Sequence, residues 1–125
     1  MEKFIAIFLG GGIGSSARWL AGLFFDKFTK GEFPYSTLFV NIVGSFVLGF
    51  LSYYLMEKLH VTEEWRLFLT IGFCGGFTTF STFAFEHFNM LQGGEVVKSV
   101  VYMFLSLVLG IIAIVSGVLL ARLFN

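Results

Sequence analysis

"GFCGGFTTFSTFAFE", residues 72–86, places three glycines, four hydroxyls and one carboxylate among five phenylalanines. A helix that only packs has no use for Gly75-Gly76 at its centre. A water-facing loop has no use for Phe77, Phe80, Phe83 and Phe85. The solvent around this stretch decides its meaning, and composition identifies that solvent. The chain is 57% hydrophobic and 13% charged, with a mean hydropathy of +0.88. Globular domains carry about 25% charged residues, so this chain reads as an all-α integral membrane protein.

A helix crosses a hydrocarbon core about 30 Å thick with about 20 apolar residues. Four stretches qualify: Phe4 to Phe25, Tyr35 to Met56, Trp65 to Leu91 and Val96 to Leu120. Short connections rich in charge or glycine separate them, so residues 1–125 form a single four-helix domain. Eight basic residues balance eight acidic ones, which leaves no basic stripe for nucleic acid. Cys74 is the only cysteine and excludes a disulfide framework. A cleaved leader does not fit the first span, because "RWLAGLFF" continues the apolar run beyond the small residues Ser15 to Ala17. Gly12, Gly14 and Ala17 match a dinucleotide fingerprint in spacing only, since a charge-free span follows in place of a βαβ unit. Gly10/Gly14, Ser45/Gly49 and Ser106/Gly110 are small residues four apart, the spacing that lets helix backbones approach closely in a membrane.

Intramembrane polar residues are costly and mark function by default. Arg18 lies within snorkelling reach of the interface, as a structural anchor or an anion-attracting vestibule residue. Asn41, the only amide of the second span, needs a hydrogen-bond partner or water. Tyr102 and Ser106 share a face of the fourth span, for interhelical bonding or as part of a polar track. His60 and His87 read as interfacial residues without metal-ligand spacing, and no catalytic constellation can be assembled. Within the opening stretch, Gly75-Gly76 weaken the helix by about 1 kcal/mol each, and Thr78-Thr79 can bond freed backbone groups. The third helix is therefore expected to break near mid-membrane. Such breaks expose carbonyls to cations and half-helix N-termini to anions. Beyond it, Phe80 and Phe83 share a face, and their ring edges carry the positive part of the aromatic quadrupole.

Three blocks together, "GGGIGSSAR" at 10–18, "STLFVNIVGSFVLGF" at 36–50 and "GFCGGFTTFSTF" at 72–83, resemble the small fluoride channels of the Fluc or CrcB family. The resemblance covers nearly the whole chain. It implies a passive, non-enzymatic fluoride channel of the bacterial cytoplasmic membrane, embedded in the lipid bilayer. It also implies an antiparallel, dual-topology homodimer of four-helix subunits, with a structural sodium ion at the dimer interface. By position, Gly75 and Thr78 match the sodium-coordinating residues, which act through backbone carbonyls. Phe80 and Phe83 match the phenylalanines that meet fluoride, Asn41 the pore amide, Arg18 the vestibule arginine, and Tyr102 and Ser106 the hydroxyl track. Gly110 stands where some members have a further serine, and Glu86 receives no definite role.

Charge placement agrees with dual topology. Lys3, Lys58, Arg66 and Arg122 fall on one side, and Lys27, Lys30 and Lys98 on the other with Arg18 reaching towards them. Almost no orientation bias remains. The competing reading is a proton-coupled exporter of cationic compounds. It needs an embedded carboxylate, for which Glu86 is the candidate.

Overall fold

The computed structural model describes residues 1–124, and every regular element in it is helical. Helix α1 spans Glu2–Thr29 and α2 spans Tyr35–Tyr54, continuing as a π-helical turn over Leu55–Leu59. The third span is composite: α3 (Glu63–Leu67), a π-helical segment (Phe68–Cys74), α4 (Gly75–Phe77) and α5 (Ser81–Gln92). Helix α6 spans Val96–Leu123. Four helical stretches, Glu2–Thr29, Tyr35–Leu59, Glu63–Gln92 and Val96–Leu123, are long and apolar enough to cross a membrane. At 1.5 Å per residue the 28 residues of α1 or α6 extend about 42 Å, more than the hydrocarbon thickness. The helices thus run several residues past the apolar stretches, taking in Asp26, Lys27, Glu63 and Arg122. Hydropathy marks where hydrocarbon ends, whereas a helix continues while its backbone bonds and local propensity sustain it.

The termini follow backbone chemistry. Helix α1 closes on left-handed Lys30 (φ 49°) and Gly31 (φ 74°), and Pro34 precedes α2. Left-handed His60 (φ 46°) closes the second span. Phenylalanines such as Phe4, Phe8, Phe24 and Phe104 lie exposed, as a lipid-facing surface requires.

The helices pack as two close pairs, α2 against α6 and α1 against residues 68–77. In the α1 pair, a Cβ on Gly10 or Gly14 would collide with the carbonyls of Phe68 or Phe73. In the α2–α6 pair, Gly49 faces the Ile114 backbone and Gly117 faces the Phe46 carbonyl with the same result. Gly10 and Gly14 therefore supply close approach, and so does Gly49 of the Ser45/Gly49 pair, whereas Ser45 lines open space. Ser106/Gly110 supplies no close approach: the nearest atom to a Cβ on Gly110 is Ser45 Oγ at 4.0 Å, and both Ser106 and Gly110 line open space. Nothing in the sequence reading anticipated the π-helical segment beside α1.

Candidate functional site

The site is built around residues 78–80. Helix α4 ends at Phe77, Thr78 is extended (φ −83°, ψ 160°), and α5 resumes at Ser81. The donors that would continue the helix go elsewhere. The Thr79 N–H donates to Asn41 Oδ1 (2.9 Å), and Asn41 Nδ2 donates to the Thr79 carbonyl (3.2 Å). The Thr82 N–H donates to Thr79 Oγ1 (3.3 Å), which satisfies one first-turn donor of α5. Upstream, the Thr78 hydroxyl donates to the Cys74 carbonyl (2.9 Å). Among the described residues, the carbonyls of Gly75 to Thr78 receive no backbone N–H from four residues ahead. Arg18 donates to the Thr78 carbonyl at 3.4 Å, so its side chain turns towards this turn of backbone.

Against the turn lies a groove of about 540 Å³ between α2, residues 75–83 and α6. Asn41, Gly75, Thr78, Phe80, Phe83 and Ser106 all line it. The structure thus brings together six of the residues singled out from sequence, from three spans. The Phe80 and Phe83 rings sit 6.1 Å apart, tilted by 38°. Ser106 Oγ is buried without a hydrogen-bond partner within the subunit. A buried unpaired hydroxyl costs about 1–3 kcal/mol unless a mobile species satisfies it.

Tyr102 departs from the groove. Its side chain is fully buried, and its hydroxyl donates to Glu86 Oε2 (2.8 Å). Thr37 on α2 donates to the other carboxylate oxygen, Oε1. Glu86 is therefore a two-fold acceptor joining α2, α5 and α6. It also lines a second, polar cavity of about 330 Å³ with Thr37, Glu95 and Lys98. Thr37 escaped the sequence reading because a hydroxyl near a helix start carries no signal of its own.

His87, expected near a membrane end, is enclosed by neighbouring helices. It is buried, its Nδ1 lies 2.7 Å from Ser99 Oγ, and its ring packs on Phe83 and Tyr102. The reason is α6: Ser99 and Tyr102 lie one turn apart and present a polar, aromatic face to α5. His60, by contrast, is exposed at its helix terminus.

Fold and site together define a four-helix integral membrane protein, with a polar seam through the middle of its third span. Residues 5–118 match the family described as CrcB-like protein, Camphor Resistance (CrcB). A fluoride-specific ion channel, FluC, of Sulfurihydrogenibium is 39% identical over 122 residues, 98% of each chain. FluC of Bacteroides fragilis is 42% identical over 120 residues, 94% of each chain. FluC of Chlorobium chlorochromatii is 43% identical over 114 residues, 91% of this chain and 88% of the relative. The chain belongs to the CrcB family.

Proposed function

We propose that this protein is a fluoride-selective channel that passes fluoride out of the cytoplasm down its gradient, so limiting intracellular fluoride. Similarity to channels named for fluoride, along nearly the whole chain, is the observation that carries this reading. The groove supplies the chemistry. Fluoride is small and strongly hydrated, so a selective path must replace water with donors and positive edges at close range. The unpaired Ser106 hydroxyl, the Asn41 amide and the Phe80 and Phe83 ring edges are such groups.

The broken third span has a second use in this reading. A hard cation takes oxygen ligands; the Gly75 carbonyl, without a helical donor, and the Thr78 carbonyl, approached only by Arg18, would be the oxygens offered to a sodium ion. One subunit supplies too few oxygens for a closed shell, and a copy related by a two-fold axis would supply the same pair. The face at Gly75 is open, with no atom within 4 Å of an added Cβ, and Phe80 is 79% exposed in a single chain. Both features suit a second subunit there. Sodium would cross-link the two breaks, and this chain's own residues would conduct the anion. Near-equal Lys/Arg counts on the two sides support insertion in both directions, as an antiparallel dimer requires.

The exporter reading loses ground because both Glu86 oxygens accept hydrogen bonds within the subunit, from Thr37 and Tyr102. Reconstitution in liposomes decides between the two. Fluoride efflux is expected without a proton gradient and with little chloride flux; equal halide rates, or a strict need for the gradient, would reject the channel. Two lysines added to the loop at 30–34 and, separately, to the loop at 60–62 should fix opposite orientations. Each variant alone should lose export, and co-expression should restore it. Export by either variant alone, once labelling shows a single orientation, would reject the antiparallel assembly.

A further inference from the structure

Among the described residues only two buried side-chain polar atoms lack a hydrogen-bond partner, Ser106 Oγ and His87 Nε2. Ser106 lines the groove already described; His87 has no place in that account. Its ring packs against Phe83 (centroids 4.3 Å, planes at 76°) and stacks on Tyr102 (4.8 Å, 21°). Phe83 lines the groove, while Glu86, bonded to Tyr102, lines the polar cavity. The rings of Phe83, His87 and Tyr102 therefore form a stacked layer from groove-lining Phe83 to the partner of cavity-lining Glu86, with His87 itself lining neither space.

The hydrogen bonding favours one tautomer of the ring. Ser16, Thr29 and Thr70 return their hydroxyl protons to carbonyls four residues back. Ser99 does not, and its hydroxyl has the imidazole as its only side-chain partner. Donation from Ser99 to Nδ1 satisfies the most groups and leaves the neutral ring's proton on Nε2. Glu86 is not the missing acceptor: its oxygens meet Thr37 and Tyr102, and neither lies within hydrogen-bond reach of Nε2. A buried N–H donor fixed by two rings and a hydroxyl, with nothing to donate to, is suited to an acceptor that comes and goes.

The geometry points to His87 as a further anion-contact residue: its Nε2–H donates to fluoride as the ion passes this ring layer on its way from the polar cavity to the groove. This inference rests on the channel reading. The chain has two histidines, so His60→Gln leaves His87 as the sole imidazole for nitrogen NMR on the labelled, purified assembly. Titration with fluoride is expected to shift the Nε2 resonance, and the same concentrations of chloride are expected to leave it in place. In liposomes, His87→Phe keeps an aromatic ring in the stack and removes the donor; fluoride flux should fall about tenfold, the effect of one hydrogen bond to a charged group. A silent Nε2 resonance, or wild-type flux through His87→Phe, overturns the contact while wild-type conduction keeps the channel reading intact. Absence of wild-type flux overturns both. If His87→Phe fails to fold, the NMR titration, which leaves His87 unaltered, decides alone.

Discussion

Asn41→Asp tests the amide and the turn it holds in one substitution. The amide both donates to and accepts from Thr79. Aspartate keeps the acceptor and strengthens it, because a carboxylate takes the Thr79 N–H as a charge-assisted bond. It loses the donor, however, and sets an anionic oxygen against the Thr79 carbonyl that Nδ2 approaches at 3.2 Å. An anion passing within about 4 Å of that carboxylate meets a repulsion of about 4 kcal/mol at an effective dielectric of about 20. That energy lowers local fluoride occupancy about a thousandfold. Stopped efflux from liposomes loaded with fluoride, followed by a fluoride electrode, measures the effect. Gel filtration and thermal melting establish that the assembly survives. A folded Asn41→Asp protein conducting within a few fold of wild type would refute the reasoning, by showing that the anion does not approach this groove wall.

Phe80→Ile and Phe83→Ile should fold and assemble yet lose most fluoride flux, because an aliphatic chain offers no positive ring edge; wild-type efflux would reduce both rings to packing. Gly14→Val should prevent close docking of α1 on residues 73–77 and cost at least about 1–3 kcal/mol through overpacking, read as lost yield and lower melting temperature. Gly12→Ala is the control, since its Cβ meets nothing within 4 Å, and equal losses from the two would refute the packing argument. Tyr102→Phe should leave one Glu86 oxygen unpaired and reduce thermal stability by about 1–3 kcal/mol, with an unchanged melting curve counting against a structural role for that bond.

By itself the sequence determined the solvent, the number of spans and most of the polar and aromatic residues that meet in the groove. Hydropathy is a property of consecutive residues, so four apolar stretches and their connections could be read directly. Gly75-Gly76 followed by Thr78-Thr79 marked the region of the interruption, but the glycines themselves are helical, Gly76 faces the Gly11 backbone of α1, and the helix gives way only at Thr78. The groove residues were also within reach, because each is a polar or aromatic side chain at a position where hydrocarbon makes it conspicuous. Only the tertiary structure decided partners. Thr37 and Glu86 lie 49 residues apart, and Asn41 and Thr79 lie 38 apart; whether they meet depends on how helices are rotated and docked, which a span's own composition does not specify. The same cause hid His87. Its place near a predicted membrane end was legible, but not that Ser99 and Tyr102 on α6 enclose it beside Phe83. The π-helical segment at Phe68–Cys74 and the open space at Gly110 also arise from packing between spans. A membrane sequence states what each helix must avoid exposing; the fit of one helix against another settles what each polar atom finds.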